Sequence, residues 1–367
     1  MNSVFEKYKP IEDALFQVMD NDGKVINEEF FPKVDDEVVL KAYKDMLFER
    51  MADLMIVSYQ RQGRIYTYPP NYGQEGIHSA TSAHITNEDW LVPAFRELGV
   101  YLSKGVSLKE IFLYYMGNEE GSRFKGANRV LPISVPIASQ LVHAAGLGYA
   151  MQYKDEKNLV YAFVGDGGTS EGDFHEALNF AGVWKAPVIF IVQNNQYAIS
   201  VPFSVQTASK NIAVKSEAYG IKGIKVDGND FFAMYKAIDE AKEASLKGEG
   251  PILIEALTYR KGPHTTSDDP TKYRTKEEES EWEEKDPVKR LKAYLIDKGL
   301  WSDEKEEEIN AQYKKEVDRI FREAEKDKGC NFDDVFKYIF TDIPQNILDQ
   351  KAEYEKFLKW RESRGKK

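Results

Sequence analysis

The feature that most constrains this chain is the segment at residues 165–195, where two apolar stretches each end in polar residues. Residues 158–164 are apolar and β-branched or aromatic, and a Gly-Asp-Gly-Gly turn follows them directly. Residues 186–192 form the second apolar stretch, which an Asn-Asn pair closes. Both stretches are typical of strands buried on both faces of a parallel sheet. Apolar side chains at helical spacing between them predict a crossover helix joining two parallel strands.

The ends of these strands carry side chains suited to a metal site. Because the carboxyl ends of parallel strands meet at one edge of an open sheet, we expect Asp166 and Asn195 to converge there. Mg²⁺ prefers such hard oxygen ligands and commonly borrows phosphate oxygens. Gly167 permits close backbone approach to a ligand, and Thr169 and Ser170 are candidate N-caps of the next helix, whose free N–H groups favour phosphate. The spacing predicts a divalent metal carrying a diphosphate.

The composition is that of an ordinary globular chain and excludes several classes of partner. The 367 residues are 42% hydrophobic and 30% charged, which allows a large core. The net charge of −11 argues against nucleic acid, since no basic stripe would neutralise phosphates. We expect no membrane association, because no apolar run approaches a membrane span and the first residues lack the pattern of a signal peptide. The lone Cys330 excludes an internal disulfide and fits a cytoplasmic location.

The chain is expected to have three parts. Residues 1–50 form an irregular N-terminal arm and the start of a first helix, which an apolar face predicts over 36–62. Residues 51–275 carry the α/β pattern of a parallel sheet flanked by helices. Residues 276–367 are strongly charged and predict a C-terminal helical extension packed on the same domain. The long polar loop at 258–279 is expected to be disordered without its ligand, because it buries little apolar surface.

Several segments in the same order resemble one enzyme family. A Gly-Asp-Gly turn followed at this distance by Asn-Asn resembles the thiamine diphosphate signature. From Met51 to Glu308 the chain resembles the alpha subunits of the thiamine-diphosphate-dependent decarboxylating component of 2-oxo acid dehydrogenase complexes, and it is most similar to the bacterial pyruvate dehydrogenases. The segments that carry the resemblance are RQGR (61–64), GQEG (73–76), PISVPIASQ (132–140), GDGGTSEGDFHEALNFAG (165–182), QNNQYAIS (193–200), VDGND (226–230), TYRKGPHTTSDDPTKYR (258–274), EWEEKDPVKRL (281–291) and KGLW (298–301).

This resemblance implies a thiamine diphosphate-binding fold with thiamine diphosphate and Mg²⁺ as cofactors. It implies that Asp166, Asn195 and the backbone carbonyl of Tyr197 hold the Mg²⁺. Arg96 is implied to pair with the diphosphate, whose oxygens suit a guanidinium fork. Phe95 stands where the family usually has Tyr, so the ring can pack there without a hydroxyl contact.

Further contacts with the cofactor are implied on both sides of the site. Gly167 and Gly168 are expected to give backbone contacts to the diphosphate. Val135 and Ile137 are expected to meet the aminopyrimidine. His264, within the polar loop, matches a catalytic His that reaches the cofactor and assists transfer to the lipoyl group.

Several of these positions also have simpler interpretations. Ser134, Ser139 and Gln140 match a potassium-binding loop of branched-chain relatives, or they cap the helix that starts near Gln140. Without the family, Arg96 is typical of a surface salt bridge and His264 of an exposed loop. Packing or surface roles are assigned to the remaining histidines, His78, His84, His143 and His175.

The function implied is that of the alpha subunit of an α₂β₂ heterotetramer. The implied reaction is oxidative decarboxylation of pyruvate with reductive acetylation of the lipoyl group of dihydrolipoyl acetyltransferase. The family's glutamate at the aminopyrimidine belongs to the beta subunit, so this chain is expected to be inactive alone. Branched-chain 2-oxo acid or acetoin dehydrogenase remains an alternative, as does a catalytically silent assembly subunit. A Rossmann dehydrogenase does not fit, because its three-glycine loop is missing.

Overall fold

A parallel sheet forms the centre of the fold. The computed structural model describes residues 3–327, 329 and 331–365, and Cys330 lies outside the described residues. The strands are β1 (Leu15–Phe16), β2 (Trp90–Val92), β3 (Val160–Gly165), β4 (Val188–Asn194), β5 (Tyr197–Ala198), β6 (Val201–Pro202), β7 (Lys222–Asp227) and β8 (Ile252–Leu257). Over the described residues, six of them pair in parallel in the order β1-β7-β8-β4-β3-β2, and β5 and β6 form a small antiparallel ribbon.

Helices cover both faces of this sheet and extend beyond it. They are α1 (Val4–Lys7), α2 (Asp36–Arg61), α3 (Glu75–Ser82), α4 (Leu98–Ser103), α5 (Leu108–Tyr115), α6 (Ser139–Tyr153), α7 (Gly172–Trp184), α8 (Phe203–Gln206), α9 (Phe231–Leu246), α10 (Lys276–Glu284), α11 (Pro287–Asp297), α12 (Asp303–Ala324), α13 (Asp334–Lys337) and α14 (Gln345–Ser363). None of the helices in the described part of the chain combines the length and the apolar character needed to cross a lipid bilayer.

The strands β3 and β4 are buried on both faces, as their sequences predict. Alternate residues point to opposite sides, because side chains of a strand alternate with a period of two. Phe163 and Ile191 belong to one apolar cluster, whereas Val164 and Val192 belong to the cluster on the other face. The prediction of an α/β chain with a parallel sheet flanked by helices is confirmed.

The N-terminal arm contributes more to the sheet than its sequence predicts. Its strand β1 pairs in parallel with β7 at the sheet edge, where Leu15 lies opposite Lys225. The Asp230 carboxylate, which caps α9, also accepts hydrogen bonds from the backbone N–H groups of Val18 and Met19, at 2.7 and 2.6 Å. A two-residue strand has too few residues to show an alternating pattern, so this long-range pairing has no local signal.

The first long helix of the C-terminal extension packs on the rest of the chain. Val317, Phe321 and Ala324 of α12 are buried, and the Phe321 ring stacks on Tyr59 of α2 with the centroids 3.6 Å apart. The helix α14 lies at the surface, where Trp360 is half exposed. The three-part division of the chain remains a prediction.

Candidate functional site

A cavity of about 270 Å³ opens at the carboxyl ends of the central strands. Parallel pairing sets Gly165 of β3 opposite Gln193 of β4, so the residues that follow each strand reach the same edge of the sheet. Asp166 and Asn195 both line the cavity. The two strand ends therefore converge on one space.

Most of the predicted site residues lie around this cavity. Those that line it are Phe95, Arg96, Ile137, Asp166, Gly167, Gly168, Asn195, Tyr197 and His264. Val135 does not line it, and 67% of its surface is exposed. Ile137, two residues further along the same loop, does line the cavity and is 46% exposed. Contact of Val135 with a cofactor therefore stays a prediction.

The turn after β3 differs from the predicted helix cap. Residues Asp166–Ser170 form a short 3₁₀ helix, and α7 begins only at Gly172, with Glu171 at its N-cap. The Thr169 hydroxyl does not cap α7, because it donates to the Asp166 carbonyl at 2.8 Å within this tight turn. The prediction that Thr169 or Ser170 caps the helix is therefore wrong.

The two glycines of the turn have no room for a side chain. A Cβ on Gly167 would lie 2.9 Å from the Cβ of Ala198, and a Cβ on Gly168 would lie 2.4 Å from Cγ2 of Val164. Both distances are shorter than real Cβ contacts, so a larger residue would force the backbone to shift. The turn therefore packs closely against Ala198 and Val164, and its two glycines present only backbone atoms to the cavity that they line.

Asp166 is a buried carboxylate with an open coordination position. Its side chain is 1% exposed, and its Oδ2 atom has no hydrogen-bond partner among the described residues. Burial raises the pKa of Asp166 to about 6. A buried polar atom without a partner is unfavourable, and a metal ion would both neutralise the charge and occupy the free oxygen.

Two buried guanidinium groups face the same cavity. Arg96 donates to the carbonyl oxygens of Pro70 and His264 at 2.5 and 2.6 Å, and Arg260 donates to those of Tyr197 and Ile199 at 3.0 and 2.6 Å. Burial, followed by repulsion from Arg260, lowers the pKa of Arg96 to about 9. Carbonyl oxygens carry no net charge, so the two cations lack a compensating anion from these contacts.

Arg260 was missed by the sequence analysis. It lies three residues after β8 and four residues before His264, inside a segment already noted for its resemblance. Its signal was present, since an Arg just beyond a buried strand reaches the ligand-binding edge of the sheet. The pairing with Arg96 is long-range and could not be read from spacing.

His264 is neutral in this structure and is held by the guanidinium of Arg96. The Nη2 atom of Arg96 lies 3.1 Å from Nδ1 of His264, and the Asp268 carboxylate accepts from the His264 backbone N–H at 2.7 Å. Burial, with repulsion from Arg96 and Arg260, lowers the pKa of His264 to about 4. Because Nδ1 accepts from Arg96, the ring carries its proton on Nε2.

The loop that carries His264 is fixed to the body of the chain on both sides of this residue. The Thr266 N–H donates to the Tyr68 carbonyl at 3.0 Å, and the Thr266 hydroxyl accepts from the Tyr68 N–H at 3.2 Å. The Lys261 ammonium pairs with Asp286 at 2.6 Å. Whether the loop is ordered without cofactor remains a prediction for experiment.

The loop before α6 shows the residues matched to a potassium site. The hydroxyls of Ser134 and Ser139 lie 3.1 Å apart, and both donate to the Pro136 carbonyl. The Gln140 side chain donates to the Phe163 carbonyl at 2.8 Å, and its Oε1 atom has no partner among the described residues. No side chain caps α6, so these contacts do not support the capping interpretation.

Comparison with known proteins places the chain in a family. The model of the Dehydrogenase E1 component family matches residues 43–332. The chain belongs to this family. A relative from Acholeplasma laidlawii is 44% identical over 342 residues, covering 92% of this chain and 99% of the relative. Relatives from Staphylococcus aureus (strain Mu50 / ATCC 700699) and Mycoplasma genitalium are each 38% identical and cover 97% and 95% of this chain, and 98% of each relative.

All three relatives bear the name pyruvate dehydrogenase E1 component subunit alpha. The resemblance noted from the sequence is thereby confirmed, and a dehydrogenase E1 component implies thiamine diphosphate as cofactor. The cavity fits the diphosphate end of that cofactor. It offers two guanidiniums that form no salt bridge among the described residues, a glycine turn that lines the cavity, and a buried carboxylate with an oxygen that has no hydrogen-bond partner there.

Four buried polar side chains in and behind the cavity wall of this E1 component were also missed. They are Glu49, His78, Glu97 and Gln193, each at most 2% exposed. His78 was assigned a packing or surface role, because a lone histidine on a helix gives no sign of its partners. Those partners come from α2, the end of β4 and the segment before α4, so only the fold brings them together.

Proposed function

We propose that this chain is the alpha subunit of pyruvate dehydrogenase, which works with a beta subunit. The proposed reaction is the oxidative decarboxylation of pyruvate and reductive acetylation of the lipoyl group of dihydrolipoyl acetyltransferase. The observation that carries this proposal is the shared cavity. Among the described residues, the guanidiniums of Arg96 and Arg260 form no salt bridge there, and Oδ2 of the Asp166 carboxylate has no hydrogen-bond partner. The names of the relatives support the choice of reaction.

Asp166, Asn195 and the Tyr197 carbonyl are the proposed ligands of Mg²⁺, because all three supply hard oxygens at one end of the cavity. The Tyr197 carbonyl already accepts from Arg260 at 3.0 Å, which leaves it one lone pair for the metal. Arg96 and Arg260 are proposed to bind the diphosphate oxygens. Thiamine diphosphate, when bound, supplies the nucleophile and the electron sink for decarboxylation.

His264 is proposed to act as a hydrogen-bond donor through Nε2 at the reacting end of the cofactor. Its ring is neutral because burial, and then the nearby guanidiniums of Arg96 and Arg260, lower the pKa of His264. A diphosphate between Arg96 and Arg260 would remove part of that repulsion and raise the pKa of His264. Cofactor binding therefore prepares His264 to hold a proton near the acyl group.

The partner proposal rests on an open wall of the cavity. Ile137 lines the cavity but is 46% exposed, and neighbouring Val135 is 67% exposed. Exposed apolar residues beside a binding site are typical of a surface that a second chain covers. We propose that a beta subunit closes this side in an α₂β₂ heterotetramer, that the lipoyl domain of a dihydrolipoyl acyltransferase is a second partner, and that the complex is cytoplasmic.

The test is reconstitution of the full-length chain with its beta subunit. Pyruvate decarboxylation coupled to acetylation of a lipoyl domain is expected from the pair, and none from this chain alone. The same assay with 3-methyl-2-oxobutanoate and acetoin separates the alternative substrates. Preference for either of them, or full turnover by this chain alone, would contradict the proposal.

A further inference from the structure

A row of four buried polar side chains leads from α2 to the wall of the cavity. The Glu49 carboxylate lies 2.5 Å from Nδ1 of His78, and Nε2 of His78 lies 2.8 Å from the side-chain oxygen of Gln193. The Gln193 amide nitrogen in turn donates to the Glu97 carboxylate at 2.6 Å. Gln193 and Glu97 line the cavity, whereas Glu49 and His78 lie behind it.

The hydrogen bonds of this row have a defined order of donors and acceptors. Both ring nitrogens of His78 face an oxygen atom, so with Glu49 as a carboxylate both carry a proton and the ring is an imidazolium. The amide of Gln193 then points its oxygen at His78 and its NH₂ group at Glu97. Burial opposes the charge on His78, but the adjacent Glu49 carboxylate outweighs it and raises the pKa of His78 to about 9.

Glu97 connects this row to the residues that bind the cofactor. One oxygen of its carboxylate accepts from Gln193, and the other accepts from the backbone N–H of Arg96 at 3.0 Å. The carboxylate therefore ties the segment that carries Phe95 and Arg96 to the end of β4.

We propose that His78 is a positioning residue for Arg96, acting through Gln193 and Glu97. The imidazolium fixes the direction of the Gln193 amide, and the amide keeps Glu97 as a carboxylate that accepts from the Arg96 backbone. The inference rests on the proposed function, since Arg96 is there a ligand of the diphosphate. His78 itself does not line the cavity and is not a catalytic residue.

In the competing arrangement, donors and acceptors are exchanged in the two hydrogen bonds that join His78, Gln193 and Glu97. A neutral His78 would accept from the Gln193 amide after a turn of that amide, and a protonated Glu97 would donate to its oxygen. A protonated Glu97 would then accept from the Arg96 N–H only through an uncharged carbonyl oxygen, which is a weaker acceptor than a carboxylate. The two arrangements differ in the charges of Glu97 and His78, and the charge of His78 can be measured directly.

The first experiment measures that charge by ¹⁵N NMR of the ring nitrogens in full-length chain labelled at histidine. The sequence has five histidines, so a His78→Gln variant assigns the signal by its loss. The proposal expects two similar nitrogen shifts for His78, as in an imidazolium, at neutral pH. Two widely separated shifts, as in a neutral ring, would overturn it without any activity measurement.

The second experiment uses the reconstituted enzyme. His78→Gln is expected to raise the KM for thiamine diphosphate about tenfold or more, because it weakens hydrogen bonds that hold a charged group. The kcat at saturating cofactor is expected to change far less. His84→Gln is the matched control, since His84 is also buried and its Nε2 donates to the Tyr235 carbonyl, away from the cavity.

Glu97→Gln supplies a second variant that keeps its shape and loses its charge. It is expected to raise the same KM, and the double variant should be no worse than the more severe single one, because both act through one row. An unchanged KM in both variants, or equal effects of His78→Gln and His84→Gln, would overturn the inference. If the unaltered pair fails to decarboxylate pyruvate, the proposed function fails, and the NMR result still decides the charge of His78.

Discussion

Replacement of Arg96 by Met tests whether the Arg96 guanidinium, which forms no salt bridge among the described residues, binds an anionic ligand. Burial, followed by repulsion from Arg260, lowers the pKa of Arg96 to about 9, well below that of a free guanidinium. A drop of this size corresponds to about 5 kcal/mol of unfavourable free energy for the charged form in the folded chain. Arg96→Met removes this cost and the apolar stem is largely retained.

The same substitution deprives the carbonyl oxygens of Pro70 and His264 of a donor. Each buried carbonyl without a partner costs about 1–3 kcal/mol. The two effects oppose each other, so the free energy of unfolding without cofactor should rise by at most about 3 kcal/mol or fall by at most about 1 kcal/mol. Affinity for the diphosphate should fall by a factor of about 30 or more, because truncating one partner of a buried charge pair costs about 2–5 kcal/mol.

Arg290→Met is the matched control. Arg290 is equally buried, but its guanidinium pairs with the Asp227 carboxylate at 2.8 Å. Removal of one partner from a buried ion pair destabilises the fold by about 3–5 kcal/mol. Urea unfolding of both full-length variants, with and without thiamine diphosphate and Mg²⁺, measures the contrast. Equal losses of stability in both variants, with cofactor stabilisation of Arg96→Met intact, would refute the reasoning.

Further predictions concern the metal, the loop and the glycine turn. Asp166→Ala is expected to abolish Mg²⁺-dependent binding of thiamine diphosphate in calorimetric titration of the reconstituted pair. Retained binding would exclude Asp166 as a ligand. NMR titration should show the pKa of His264 rising from about 4 when thiamine diphosphate binds, because the anion offsets Arg96 and Arg260; an unchanged pKa would contradict this. Gly168→Ala should lower the free energy of unfolding by about 1–3 kcal/mol, because its Cβ would overlap a strand residue. Gly172→Ala is its control, since nothing lies within 4 Å of a Cβ there, and equal effects would exclude this cause. The 258–279 loop should be cleaved by protease faster without cofactor than with it, and equal rates would count against disorder of the free loop.

The sequence predicts the parts of this site that local patterns determine. Asp166 and Asn195 follow long apolar strands, so their convergence follows from the geometry of a parallel sheet. The position of Arg96 came from resemblance, because a lone Arg after a short strand has no distinguishing spacing. The site around these three residues agrees with the sheet that the sequence predicts.

The remaining features depend on contacts between distant segments. Arg260 meets Arg96 only across the cavity, and the row from Glu49 through His78 and Gln193 to Glu97 joins four separate segments. The strand β1 is too short to show periodicity and is held by Asp230, far along the chain. Such contacts require the folded chain, because no local pattern specifies which buried polar groups will meet.

The most direct test of the central claim is a crystal structure of this chain with its beta subunit, thiamine diphosphate and Mg²⁺. The account predicts a Mg²⁺ ion about 2.1 Å from oxygen atoms of both Asp166 and Asn195, with the diphosphate between that ion and Arg96. A diphosphate bound elsewhere, or a metal that contacts neither Asp166 nor Asn195, would contradict the account.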